Sequence, residues 1–243
     1  MAPATKFDID SHLRQFSLGN QQGGLFDASN QTQTRVETVQ ASERAYPRFT
    51  NEFWTARQRQ SSSLHQIAYR ACFKPQLPRF FIERLTSNGD IVYDPFAGRG
   101  TTIIEAALLG RQIIGNDINP LSRILTLPRL HIPNITELKA RLNAIPTESD
   151  PASDLDLSMF YDPDTLKEIL SLRNYLRERQ ASGKEDDLDA WIRMVATNRL
   201  TGHSPGFFSV YTLPPNQAVS AQSQRKINRK RNQKPDYRDT RFI

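Results

Sequence analysis

Two carboxylates bracket a glycine-rich stretch: Asp94 and Asp117 stand 23 residues apart, with Gly98 and Gly100 between them. Paired glycines let a backbone turn tightly and come close to a ligand. A helix that starts just after such a turn offers unpaired N–H groups and a positive dipole end, which suit a phosphate or a carboxylate. Asp94 would repel a pyrophosphate; it suits instead the cationic amino-acid end of S-adenosylmethionine. Asp117 is placed to accept hydrogen bonds from ribose hydroxyls. The dinucleotide fingerprint is not met, because Ile103 stands where a third glycine is expected, and no Gly-Lys-Ser/Thr follows to make a P-loop. The alternative is a tight strand-to-helix turn that holds no ligand.

The elements that must position these residues are legible around them. Ile91-Val92-Tyr93 reads as a short strand ending at Asp94. Thr101-Thr102 caps a helix with the body Ile103–Leu109, and Gly110 stops it. Gln112–Gly115 reads as a second strand, and Asn119-Pro120 opens another helix. Strand, turn, helix and strand with an acid at its tip is the order of a nucleotide-type site on a parallel, doubly wound sheet. Residues 61–84 read as mostly helical, limited by Pro75 and Pro78. Asp162-Pro163 starts a later helix, residues 182–187 are a linker, and Leu188, Trp191, Ile192 and Val195 give the next helix one buried face. A strand is expected at Phe207–Tyr211.

The run Asp94-Pro95-Phe96-Ala97-Gly98-Arg99-Gly100-Thr101-Thr102 resembles the D-P-F-x-G-x-G-T-T motif of DNA methyltransferases that act on the N6 amine of adenine or the N4 amine of cytosine. Gly115–Pro120 is similar to the same family's second motif, with Asp117 at the ribose position. Upstream, Tyr69–Pro78 resembles the segment that closes the methionine side of the cofactor pocket. Asn198–Ser209 looks like a stretch found in some DNA methylases of this group. The resemblance implies a Rossmann-like, S-adenosylmethionine-dependent methyltransferase domain. It implies Phe73, Asp94, Pro95, Phe96, Gly98, Gly100, Thr101 and Asp117 as cofactor-binding residues, and DNA as partner. A restriction-modification role, with transfer straight to an exocyclic amine, comes with it.

The same family carries an acceptor motif, [D/N/S]-P-P-[Y/F/W], whose polar group and carbonyl accept from the target amine while the ring stacks on a flipped base. Leu213-Pro214-Pro215-Asn216 lacks the acceptor and the aromatic; in Ser204-Pro205-Gly206-Phe207 a glycine replaces the second proline. Strands after Asp117 are also too few for a full sheet. The expected fold is therefore an incomplete α/β methyltransferase domain with a helical insertion, the acceptor half lying in a second polypeptide or lost by truncation. No catalytic residue is assigned. The alternatives are an RNA guanine-N2 methyltransferase and a non-catalytic subunit of a split methyltransferase that binds DNA or cofactor.

The 243 residues suffice for one sizeable core with appendages, yet only 37% are apolar, so much of the chain must lie at the surface. The expected organisation is a polar, disordered arm over 1–45, a cofactor domain over 46–135, a helical insertion over 136–200, and a loop with a basic C-terminal segment over 201–243. That last segment holds Arg225, Lys226, Arg229, Lys230, Arg231, Lys234, Arg238 and Arg241 against Asp236 and Asp239, and so carries the whole net charge of +6. A polyanion contact, nucleic acid first, and a solvated tail are both open readings of it. Arg99 at the turn tip is open to a DNA phosphate or to solvent. The single cysteine, Cys72, excludes an internal disulfide framework, and the four histidines lack metal-ligand spacing, so no metal is expected. No run approaches the length of a membrane span and the N-terminus has no signal-peptide core, so a soluble, cytoplasmic protein is expected.

Overall fold

The structure, a computed structural model, describes residues 7–17, 33–53, 61–69, 72–153, 155–202, 204–210 and 219–242. The chain divides into two units: Met1–His65 with Phe73–Asp94 and Thr101–Ile114, and Gln66–Cys72 with Pro95–Gly100 and Gly115–Ile243. The boundaries expected from sequence at 45, 135 and 200 do not coincide with this division.

The first unit begins with α1 (Ile9–Arg14), capped by the Asp8 carboxylate. The hairpin of β1 (Arg35–Ala41) and β2 (Arg44–Thr50) follows. The expectation of a disordered arm over 1–45 is therefore corrected for the described part. Ser42, at φ +55°, turns the hairpin, and Glu37 pairs with Arg48 across the strands. Phe16 anchors the arm: its side chain is 5% exposed and its ring lies 4.9 Å from Phe53 and 6.5 Å from Phe80. Among the described residues, the helix expected over 61–84 is α2 (Gln76–Leu85), preceded by a 3-10 turn at Ser63–His65. Pro75 and Pro78 sit at the start of α2, where proline costs no hydrogen bond.

β3 (Ile91–Asp94), α3 (Thr101–Leu108) and β4 (Gln112–Gly115) follow the expected order. Gly89 N donates to Gly110 O at 3.1 Å and Gln112 N to Asp90 O at 2.9 Å, so the partners advance together along both segments, as in a parallel pair. Ile103, Ile104 and Ala106 are the buried apolar face of α3. Parallel sheets ordinarily bury both faces. Here Ile91, Tyr93 and Ile114 remain 60%, 58% and 52% exposed, and among the described residues only two strands form this sheet. The fold is mixed α/β; the larger doubly wound sheet is not among the described elements.

The second unit is helical. Asn119 caps α4 (Pro120–Thr126), with Pro120 at its first position, and a 3-10 turn at Leu127–Leu130 follows. α5 (Ile135–Ala144), α6 (Pro163–Ala181) and α7 (Asp187–Arg199) carry the helical content expected over 136–200. α7 buries two sides rather than the expected one. Ile192 joins Ile145, Leu172 and Leu176, while Met194 joins Ile67 and Leu125, with Trp191 and Val195 packed alongside. Asp189, fully buried at the start of α7, is bonded by Arg141 at 2.7 Å and Arg179 at 2.6 Å, which locks α5, α6 and α7 together.

Two further expectations are corrected in this unit. The strand expected at Phe207–Tyr211 is a turn as far as Val210, with Tyr211 outside the described residues. Phe208 N bonds Arg199 O and Gly202 N bonds Ser209 O, so local turn bonds take the place of a ladder. The basic C-terminal segment is not a loop: residues Ala221–Arg231 form α8, capped by Ser220. Beyond it Tyr237 and Thr240 bond Glu168 of α6 at 2.7–2.9 Å.

Candidate functional site

The glycine turn and the ribose-type acid meet in the second unit. Asp117 Oδ2 accepts from Gly98 N at 2.7 Å, and Oδ1 accepts from Asn119 N at 2.8 Å. These two N–H donors hold the carboxyl below the ordinary value of 3.8, that of Asn119 contributing most. Ala97 N donates to Asn116 O at 2.9 Å and Asn116 Nδ2 to Pro95 O at 3.4 Å, so three bonds tie the turn to the segment after β4. Each carboxylate oxygen keeps acceptor capacity beyond its one backbone partner, which suits ribose hydroxyls. Phe96 is 86% exposed and Ile118 fully exposed, two apolar side chains in the same stretches of chain.

Both glycines are required by geometry. Gly98 lies at φ +52° and Gly100 at φ +78°, in the left-handed region. A Cβ on Gly98 would meet the Tyr69 ring at 3.5 Å and Phe96 O at 4.0 Å, ordinary contacts, whereas one on Gly100 would sit 2.4 Å from Thr126 Oγ1 and 2.5 Å from its Cγ2. Gly98 leaves space that a ligand can use, and Gly100 brings the turn against α4.

Sequence reasoning missed the groups that hold the turn from behind. Arg129 is 3% exposed; its Nε donates to Leu125 O at 2.7 Å and its Nη2 donates to Arg99 O. Burial, and then the neighbouring Arg99 charge, push Arg129 down to about 10. Arg99, expected to face DNA or solvent, instead bends back, its Nη1 donating to Ile67 O at 2.9 Å. Cys72 is exposed and donates to Tyr69 O at 3.5 Å. Nothing local in the sequence marks partners 30 residues apart.

The other predicted cofactor residues belong to the first unit. Asp94 ends β3, Thr101 opens α3 and is 3% exposed, and Phe73 is 45% exposed. Pro95, Phe96, Gly98, Gly100 and Asp117 belong to the second. The first unit also holds a buried polar pair that the sequence did not signal. His65 Nε2 and Glu105 Oε1 lie 2.7 Å apart, each residue at most 5% exposed, and Arg79 Nη1 bonds the other Glu105 oxygen at 3.4 Å. Glu105 thus links α3 to α2 and to the 63–65 turn. Ser204 and Gly206 are surface turn residues, and Pro205 O accepts from Arg238 Nη1 at 3.4 Å; Leu213–Asn216 lie outside the described residues. Among the described residues no three His, Cys, Asp or Glu side chains cluster to hold a metal, and no helix is long and apolar enough to cross a membrane.

The order strand, turn, helix, strand, with the Asp117 carboxylate bonded to the glycine turn, is one that α/β folds use at nucleotide sites. The profile of a family described as DNA methylase matches residues 16–122. The chain is 30% identical over 131 residues to the type II methyltransferase M.MjaII of Methanocaldococcus jannaschii, covering 52% of this chain and 25% of the relative. It is 40% identical over 74 residues to the type II methyltransferase M.BsoBI of Geobacillus stearothermophilus, covering 30% and 14%. A tRNA (guanine(10)-N2)-dimethyltransferase of Methanocaldococcus jannaschii is 30% identical over 102 residues, covering 35% of this chain and 29% of that protein. The chain thus spans a quarter or less of the length of the two type II relatives.

Proposed function

We propose that the chain is the S-adenosylmethionine-binding part of a DNA amino-methyltransferase, serving transfer of a methyl group to an exocyclic amine of adenine or cytosine. The observation that carries this reading is the Gly98–Asp117 closure within the stretch matched to the DNA methylase family. Asp117 takes the ribose hydroxyls and the Gly98 turn approaches the adenosine end. Asp94, Phe73 and Thr101 serve the methionine end, a role drawn from the motif they occupy. The bound cofactor supplies an activated methyl group. The protein's task is to hold it and to exclude water, with no covalent enzyme intermediate. A Rossmann-like sheet, extended beyond β3 and β4, is the framework this function needs.

The acceptor side is supplied by a segment carrying [D/N/S]-P-P-[Y/F/W], in a second polypeptide or in further chain. The exposed Ile91, Tyr93 and Ile114 of an otherwise two-stranded parallel sheet support this, since such strands normally meet further strands and helices. The test is transfer of label from S-adenosylmethionine to unmethylated DNA and, in a parallel arm, to transfer RNA. DNA labelling that requires a polypeptide bearing the acceptor motif supports the reading. Labelling by the chain alone refutes the split and points to Ser204–Phe207. Labelling of RNA alone favours the RNA guanine-N2 alternative, which the tRNA-modifying relative keeps in view.

A further inference from the structure

We propose that the outward face of α8 is a docking stripe for the phosphate backbone of duplex DNA, built from Lys226, Arg229 and Lys230. The choice of DNA among polyanions rests on the proposed function; the stripe itself rests on how α8 is held. Gln224 is fully buried, Asn228 Nδ2 donates to Met159 O at 2.9 Å, and Arg225 Nη2 lies 2.5 Å from Asp156 Oδ2. These contacts fix which side of the helix faces out. At about 100° per residue, Arg225, Lys226, Arg229 and Lys230 fall within an arc of about 140° opposite Gln224.

Six of the eight basic residues of the C-terminal segment thereby separate into two groups. Arg225, Arg238 and Arg241 are engaged by other groups of the protein. Arg225 pairs with Asp156, Arg238 bonds Pro205 O, and Arg241 bonds Ile145 O at 2.7 Å and Thr147 Oγ1 at 2.9 Å. Lys226, Arg229 and Lys230 are exposed and make no side-chain hydrogen bond or ion pair among the described residues. A merely solvated helix face mixes signs, as α6 does with Lys167, Arg173, Arg177 and Arg179 against Asp164, Glu168 and Glu178. α8 has five cations and no acid in 11 residues. Like charges three and four residues apart repel one another along a helix. The last-turn dipole favours Arg229 and Lys230 but not Lys226 in the middle of the helix. A rigid row of cations that repel one another is relieved by a row of phosphates, and such contacts position a protein on the duplex without reading its sequence.

The experiment is fluorescence anisotropy of a labelled duplex with the full chain across a range of salt. Each phosphate contact contributes a slope of about 0.9 in log affinity against log salt, so Lys226→Gln/Arg229→Gln/Lys230→Gln should flatten the slope by about 2.7. A control variant, Lys139→Gln/Arg177→Gln/Lys184→Gln, removes equal charge from other exposed positions of the same unit and should leave the slope within one contact of wild type. Gln is a good helix former, and circular dichroism on both variants confirms that the fold is retained. An unchanged slope in the α8 variant, an equal loss in the control, or no DNA binding by wild type overturns the proposal. So does an RNA duplex that competes more strongly than DNA and is released by the same α8 variant. Calorimetry with S-adenosylhomocysteine on the same samples separates the two claims. Absent cofactor binding with an α8-dependent salt slope fails the proposed function and keeps the stripe; the reverse pattern does the opposite.

Discussion

Replacing Gly100 by alanine probes the turn where its geometry is tightest. Two costs add. A residue with a Cβ in the left-handed region costs about 1–2 kcal/mol, and at φ +78° the added methyl group has no relaxed alternative nearby. The methyl also lands 2.4–2.9 Å from Thr126 Oγ1, Cγ2 and Cβ, on a residue only 8% exposed, and overpacking of this kind costs about 1–3 kcal/mol. Gly100→Ala should therefore lose about 2–5 kcal/mol. Gly98→Ala, whose Cβ comes no closer than 3.5 Å to its neighbours, should lose only the backbone share of about 1–2 kcal/mol. Thr126→Ala removes Oγ1 and Cγ2, so Gly100→Ala in that background should recover most of the packing cost and none of the backbone cost. Urea unfolding of the four chains measures this as a double-mutant cycle. Equal losses for the two glycine variants, or no coupling to Thr126, would refute the geometric argument.

Three more outcomes follow from the same contacts. Asp117→Asn should lower stability near neutral pH. Because the Asp117 carboxyl is held below 3.8, its contribution is complete above that value and fades as pH falls through the lower folded-state value, so the two unfolding curves should converge in acid. His65→Ala strips a buried partner from Glu105 and should cost about 1–3 kcal/mol in urea unfolding, with Gln at 65 restoring part of it. Arg129→Met leaves the Leu125 and Arg99 carbonyls without their donor and should cost about 1–3 kcal/mol, read as a lower thermal midpoint and weaker cofactor binding.

The stretch from Ile91 to Pro120 was legible because its signals are local: β-type residues, turn glycines, a cap, and a proline at the first helical position all lie within a few residues of what they specify. Asp162-Pro163 announced α6 in the same way. The hairpin over 35–50 was missed because nearly all its side chains are exposed, so no buried face imposes an alternating apolar pattern. α8 was missed because its inward face is Gln224 and Asn228, polar groups whose burial depends on Met159 far along the chain. Arg99 could not be placed from sequence, since the carbonyl it bonds belongs to Ile67 and the donor to its own carbonyl belongs to Arg129. In each case the deciding partner is distant in sequence and carries no periodic signature.

Titration calorimetry of S-adenosylhomocysteine into the full chain and into Asp117→Ala reaches the central claim most directly. The account predicts one site per wild-type chain and affinity reduced by about 1.5–3 kcal/mol in the variant, the scale of hydrogen bonds to a charged group. No binding by wild type at millimolar ligand, or equal affinity for both chains, would contradict the assignment of the Gly98–Asp117 turn as the cofactor's adenosine site.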